Sequence, residues 1–319
     1  MSVLAGLYAA AVAVRNTMYD RALPARRLNA PVISVGNLSV GGSGKTPFVM
    51  LLGGLLKQRG MRVCVLSRGY GRKTTGARVV DPAGSPLEFG DEPLLIAQKL
   101  GVPVVVGEDR YAAGQLAQRE FAPEIFLLDD GFQHRRLARD FDIVLVTPDD
   151  ARDRLLPAGR LREPLSSLAR ADAVVLVSGA EPEMFPLAHQ AVWRVRRGIL
   201  PPQVAPRSVA FCGIARPQNF FLQLRKAGIE PAAEVGFRDH HQYSDANIAD
   251  LLQIQQNAQA DGFVTTEKDA INLGPLASRL RPLALVPVRM SLSDAESAVS
   301  AMLATIAQRR SQGSPAAAH

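Results

Sequence analysis

The sequence predicts an α/β chain with a doubly wound, mostly parallel sheet, followed by a second, smaller α/β domain. Three observations carry this. Short β-branched runs alternate with helical stretches from residue 31 onward, the pattern of strands buried on both faces beneath crossover helices. The 319 residues exceed what one core usually organises. A proline-rich stretch at 198–206 (GILPPQVAP) splits the alternation into two blocks.

In chain order, residues 32–35 form a strand that enters a glycine-rich loop over 36–44, and 47–59 then reads as a helix. A strand at 63–66, a helix at 93–100 and a strand at 102–106 follow. Residues 111–120 are helical, while 125–128, 143–146 and 173–177 are continuous apolar strands suited to a sheet covered on both sides. Beyond the proline-rich stretch come a strand at 208–211, a helix at 217–227, a strand at 234–237 and a helix at 245–259. A strand at 262–265 and a last helix at 294–309 complete the second block. The expected divisions are an N-terminal segment 1–30, a larger domain 31–200, a smaller domain 201–310 and a tail 311–319. The Ala, Ser, Gly and Pro content of that tail predicts a disordered end.

Apolar residues make up 47% and charged residues 21%, which excludes wholesale disorder. The net charge is +7, and 31 of the 37 basic residues are arginine. An Arg-rich surface suits anionic partners: phosphates, nucleic acid or an acidic membrane face. The two cysteines, Cys64 and Cys212, form neither a disulfide framework nor a zinc site and fit a reducing compartment.

The longest uncharged apolar run, 3–14, is twelve residues. Spanning a bilayer as a helix takes about 20. Three readings compete for this run. A secretory signal would need positive charge ahead of it, and none is present. A core-packed helix is the plain alternative. An interfacial helix would present Leu4, Leu7, Ala11 and Val14 on one face, followed by Arg15, Arg21, Arg26 and Arg27 to meet anionic headgroups. The basic cluster favours the last of these.

The strongest chemical signal is the run Ser39, Val40, Gly41, Gly42, Ser43, Gly44, Lys45, Thr46 between a strand and a helix. That context makes it a phosphate-binding P-loop, and the fold P-loop NTPase-like. Its glycines let backbone N–H groups face phosphate oxygens, Lys45 reaches the β- and γ-phosphates, and the Thr46 hydroxyl suits Mg²⁺. Ser39 stands where the usual pattern has its first glycine. Asp129 and Asp130, after an apolar strand, supply the acidic group that a P-loop site needs for the metal.

Several segments together resemble one family, the tetraacyldisaccharide 4′-kinases of lipid A biosynthesis. They are GNLSVGGSGKTP (36–47), SRGYGRK (67–73), GDEP (90–93), DDGFQHRRLARD (129–140), LPAGRLREP (156–164), FRDHHQY (237–243) and TTEKDA (265–270). Ser39 fits that family's own loop. The resemblance implies transfer of the γ-phosphate of ATP, with Mg²⁺, to the 4′-hydroxyl of a tetraacyldisaccharide 1-phosphate. The product is the bisphosphorylated lipid A precursor, lipid IVA. It further implies a peripheral enzyme at the cytoplasmic face of a Gram-negative inner membrane, with ATP at the mouth of a cleft between two domains and no obligate protein partner.

The same resemblance assigns roles. Asp91 matches the family's catalytic aspartate, although by itself it reads as a helix cap before Pro93. His240 matches the histidine paired with it, and which of the two is the base stays open. Arg68 and Arg72 match an anion-contacting loop, and solvated arginines fit them equally well. Arg162 is a candidate grip on the transferring phosphate. Asp239 and Lys268 are further candidate contacts, and Gln133 and His134 either face the phosphates or satisfy their own loop. Two other classes compete. A nucleotide-driven switch or metallochaperone would want a guanine-reading N-K-x-D or a Cys-rich insert, which the sequence lacks. A nucleic-acid ATPase would want aromatic residues interleaved with basic ones, and aromatics are only 6%. No nucleic-acid partner is expected.

Overall fold

The computed structural model describes residues 3–21, 25–200 and 203–313. The chain begins with helix α1 (Val3–Arg21), and strand β1 (Val32–Asn37) leads through the glycine-rich loop into α2 (Lys45–Gln58). Next come β2 (Val63–Ser67), β3 (Arg78–Val79), α3 (Pro86–Phe89), α4 (Asp91–Leu100), β4 (Val104–Val106) and α5 (Arg110–Phe121). The first block closes with β5 (Ile125–Asp129), β6 (Phe141–Val146), β7 (Ala173–Val177) and β8 (Ala191–Ile199). The second comprises β9 (Ser208–Cys212), α6 (Pro217–Lys226), β10 (Ala233–Gly236), α7 (Asp245–Asn257), β11 (Gly262–Thr266), α8 (Glu267–Leu273) and β12 (Leu283–Val286). The chain ends in β13 (Val288–Leu292) and α9 (Ala295–Gly313).

Nine strands form the larger sheet in the order β13-β8-β7-β6-β1-β5-β2-β4-β3. The seven central strands run parallel, and β13 and β3 close the two edges antiparallel. Alternate side chains of β1 serve two cores. Ile33 and Val35 pack with α2, α4 and α9 on one face, while Val32 packs with α5 on the other. Both faces are covered, so all six residues of β1 are buried. The smaller sheet, β10-β9-β11-β12, is wholly parallel.

The C-terminal boundary differs from expectation. The smaller unit was expected to run from 201 to 310, yet β13 pairs with β8 and α9 packs against α2 and β6 of the larger one. The chain leaves the small sheet at Val286 and enters the large one at Val288, with only Pro287 between. The physical reason is that β8 would otherwise be an open edge, and β13 supplies its missing backbone partners. Residues 311–313, expected in a disordered tail, extend α9, whereas 314–319, like 201–202 of the proline-rich stretch, lie outside the described residues.

Helix α1 runs past the expected apolar stretch to Arg21. One narrow face docks: Val12 is buried, the Tyr8 hydroxyl donates to the Arg162 carbonyl (3.1 Å), and Asn16 Nδ2 donates to Glu163 Oε2 (3.0 Å). The opposite face leaves Leu4, Leu7, Val14 and Met18 between 51% and 65% exposed. Among the described residues, no helix is long and apolar enough to cross a membrane.

Candidate active site

The P-loop follows β1 because three of its residues adopt backbone that favours glycine: Gly41, Gly42 and Gly44 have φ of 82°, 44° and 87°. Gly44 caps α2 without a side chain, so the first N–H groups of α2 stay open toward the loop. Asn37, the last residue of β1, organises the base of the loop. Its Nδ2 donates to the Ser39 carbonyl (2.7 Å), and its Oδ1 accepts from Lys45 Nζ (2.9 Å) and Arg162 Nη2 (2.5 Å).

The two aspartates at the end of β5 have different surroundings. Asp130 takes a left-handed backbone (φ 51°), and its two oxygens accept a bidentate pair from Arg162 at 2.8 and 2.9 Å. Lys45 Nζ lies 3.5 Å from the same carboxylate. Burial works against its charge, but Lys45 and Arg162 outweigh that and hold it far below the usual carboxylate range. Asp129 is buried, with Oδ2 accepting from Ser67 Oγ (3.2 Å) and Oδ1 lacking a partner among the described residues. Burial, then the charges of Glu92 and Asp130, push its carboxyl up. A buried carboxylate oxygen with no donor, lining the same cleft as a P-loop threonine, is the chemistry a hard cation satisfies. Of the two aspartates assigned to Mg²⁺, Asp129 has an oxygen that fits a cation held together with Thr46, while Asp130 is paired with Arg162 and Lys45.

Across the cleft, His240 follows β10 in a left-handed turn (φ 55°), its N–H donating to the Gly213 carbonyl at the end of β9. Its Nδ1 lies 2.8 and 3.1 Å from the two oxygens of Asp91, the first residue of α4. Gly90 makes that placement possible. Its φ is 89°, and a β-carbon there would meet the Tyr70 carbonyl at 3.0 Å. Burial works to raise the Asp91 pKa, but the hydrogen bond from His240 and the charge of Lys268 dominate and bring it down to about 2. For His240, burial works downward and the Asp91 hydrogen bond prevails, raising it.

A cleft of about 980 Å³ runs between the two units. Its wall includes the whole of Ser39–Pro47, then Arg68, Asp129, Asp130 and Arg162 on one side and Arg216, Asp239, His240 and Lys268 on the other. Asp91 does not reach the wall and stands behind His240. Arg72, which an anion-contacting loop and a solvated side chain fitted equally well, does not line the cleft. Its guanidinium is buried and bonded to Glu108 (2.5 Å), the Gly76 carbonyl (2.8 Å) and Thr74, so it braces its own loop. Gln133 satisfies loop backbone by donating to the Asn37 carbonyl (3.0 Å). His134 lines the cleft, and burial and then Arg110 bring its pKa down to about 4, which keeps it neutral.

Sequence reasoning missed the lining residues Glu92, Arg110 and Arg197, and Asn37, which is buried beneath the loop. Arg110 is buried with Nη1 on the Gly107 and Glu108 carbonyls (3.0 and 3.1 Å) and Nε without a partner among the described residues. Burial and the neighbouring Arg68 bring its pKa down to about 10, a sign of crowded positive charge. Arg197 donates to the Gly42 carbonyl (3.3 Å), tying β8 to the P-loop.

Known proteins of one family match this chain over nearly its whole length. The family model for the tetraacyldisaccharide-1-P 4′-kinase, LpxK, matches residues 1–307. The tetraacyldisaccharide 4′-kinase of Koribacter versatilis is 52% identical, over 97% of this chain and all of its own length. That of Geobacter metallireducens is 44% identical, over 92% of this chain and 94% of its own. The crystal structure of LpxK from Aquifex aeolicus in complex with ATP superposes with a TM-score of 0.78 at 38% identity, covering 95% of this chain and 97% of that one. A P-loop facing an Asp–His pair across one cleft thus sits on a scaffold shared end to end with these proteins, and the chain belongs to the tetraacyldisaccharide-1-P 4′-kinase family.

Proposed function

We propose that this chain is an ATP-dependent lipid kinase that phosphorylates the 4′-hydroxyl of a tetraacyldisaccharide 1-phosphate, giving the bisphosphorylated lipid A precursor. The observation that carries the reading is the meeting of His240 and Asp91 opposite Lys45 in one cleft. Phosphoryl transfer asks the protein mainly for positioning and for neutralising charge. The loop N–H groups and Lys45 hold the phosphates of ATP. Arg162, already aligned by Asp130, stabilises negative charge on the transferring group. His240 lines the cleft and takes the proton of the attacking hydroxyl on Nε2, the ring nitrogen not bonded to Asp91. Asp91, one layer behind, orients the ring and stabilises its charged form. Thr46 and Asp129 would hold Mg²⁺, which supplies charge neutralisation at the phosphates.

Arg68, Arg110 and Arg136 also line the cleft and suit the substrate's 1-phosphate. The outward apolar stripe of α1, continued by basic residues, suits the surface of an anionic bilayer. The need for ATP and for a membrane-borne acceptor suits the cytoplasmic face of a Gram-negative inner membrane. The reading needs neither nucleic acid nor a protein partner. Its test is γ-labelled ATP with tetraacyldisaccharide 1-phosphate in detergent micelles. Label recovered in the lipid is the expected result, and ATP turnover with no labelled lipid would sink the reading.

A further inference from the structure

We propose that Lys268 is a positioning residue that fixes the proton of His240 on Nδ1 and leaves Nε2 free to take the proton of the attacking hydroxyl. The inference rests on the kinase reading above and extends it to a residue outside the Asp–His pair. Lys268 is the second residue of α8, at the end of β11 in the smaller unit. Its Nζ stands 3.4 Å from His240 Nε2 and 3.5 Å from each of three carboxylates, those of Asp91, Glu92 and Asp239.

An ammonium has three N–H donors and no acceptor. A proton on Nε2 would point at that cation, whereas a proton on Nδ1 points at the Asp91 oxygens. In the neutral ring the proton therefore belongs on Nδ1. The three carboxylates draw the Lys268 donors, so at 3.4 Å its influence on Nε2 is mainly that of a nearby charge. The charged groups around the ring are Asp91 and Glu92 from α4, Asp239 from its own loop and Lys268 from α8, and the Tyr70 ring lies 5.2 Å away. Lys268 is the one cation among them. Burial works to lower its pKa, but Glu92, Asp91 and Asp239 prevail and keep it charged.

In the transfer step the hydroxyl O–H bond breaks and its proton moves to Nε2. The oxygen bonds the γ-phosphorus, and the bond from that phosphorus to the β-phosphate oxygen breaks, releasing ADP. The new imidazolium then lies beside Lys268, which favours passing the proton to solvent and resetting the ring.

The variant Lys268→Met keeps the length and removes the charge. His240 should then protonate more readily, moving the acidic limb of the kcat–pH profile upward by about one pH unit, the effect of a unit charge at this distance in a water-like medium. Nitrogen-15 NMR of labelled histidine, with His240 identified by its loss in His240→Gln, should show the same upward shift without turnover or lipid. Lys268→Cys should behave alike when folded, and aminoethylation of its thiol should restore the wild-type titration. Cys64 and Cys212 are buried with their thiol pKa values pushed up, so they resist that reagent. An unmoved His240 titration in both variants would overturn this inference alone. A wild-type chain that labels no lipid would overturn the kinase reading instead.

Discussion

Asp91 and His240 stand 149 positions apart in the chain, one opening α4 and the other following β10 of the smaller sheet, and meet with Nδ1 2.8 Å from Oδ2. The contact lies just behind the cleft wall that His240 helps to form, and it is shielded, since Asp91 is only 4% exposed. A buried carboxylate bonded to an imidazole is costly to break from one side, because the partner is left without its hydrogen bond.

Replacing His240 with Ala should therefore lower kcat by about 10²- to 10⁴-fold, the usual worth of a positioned proton acceptor. ATP affinity should stay within about threefold, because His240 faces the P-loop across the cleft and makes no contact with it. Steady-state kinetics with separate ATP-binding titrations check this. A variant that keeps its kcat would remove His240 from the chemistry.

The pair also predicts a pH window for stability. The Asp91 pKa is lowered from 3.8 to about 2, so its contribution is complete above about pH 4 and lost as pH falls through about 2. The His240 pKa is raised above 6.5, so its contribution is complete below that pH and lost as pH rises through the folded-state value. The difference in thermal midpoint between wild type and His240→Gln should thus be largest between about pH 4 and 6.5 and shrink on both sides. A difference that grows toward alkaline pH would contradict the sign of the shift.

Arg162 grips Asp130 with two parallel hydrogen bonds and also holds Asn37, a fork that an ammonium cannot reproduce. Lys is therefore not a conservative replacement. Arg162→Lys should cost on the order of 10²-fold in kcat, comparable to removing one donor from a preorganised site. Lys45→Ala should cost at least as much. Equal activity of wild type and Arg162→Lys would show that Arg162 only braces the loop.

Much of this site was legible in the sequence because its parts are local. GGSGKT, DDG and GDEP each place a functional side chain at a strand end or helix start within a few residues. The continuous strands around 33, 65, 127 and 144 were equally plain. What escaped notice depends on pairing across long distances. In β8 the buried Trp193 and Val195 alternate with exposed Arg194 and Arg196, a half-covered strand that reads as a polar stretch. β13 alternates in the same way, and only its pairing with β8 reveals that the end of the chain returns to the large sheet. Arg110 opens a helix like any solvated arginine, and its burial follows from the fold around it. Asn37 carried a signal, a polar residue ending an apolar strand directly before the P-loop.

Helix α1 separates its two readings by which face is altered. Leu4→Ser with Leu7→Ser changes only outward side chains, so it should release the protein from anionic vesicles and leave the thermal midpoint unchanged. Val12→Ser changes the docked face and should do the reverse, destabilising the chain by about 1 to 2 kcal/mol. Vesicle sedimentation and thermal melting check the pair. Loss of stability in the outward double variant would make α1 a purely structural helix.

The end of α9 is tied to the start of β1 by one carboxylate. Asp140 accepts from Arg310 Nε (2.7 Å) and Nη2 (2.8 Å), from Arg27 Nη1 (2.8 Å) and from the Val32 backbone N–H (2.9 Å). Arg310 also donates to the Leu28, Asn29 and Ala30 carbonyls, so a single pair fastens the chain's last helix to the segment entering the sheet. Asp140→Ala should cost about 2 to 3 kcal/mol. That is below the range for a fully buried pair, because Arg27 and Arg310 retain access to water. Asp140→Asn keeps an acceptor for Val32 and should cost less. Activity per folded molecule should be unchanged in both, since Asp140 does not line the cleft. Urea unfolding compared with kcat checks this. Equal losses for Ala and Asn would assign the effect to charge alone, against the hydrogen-bonded fastening argued from these distances.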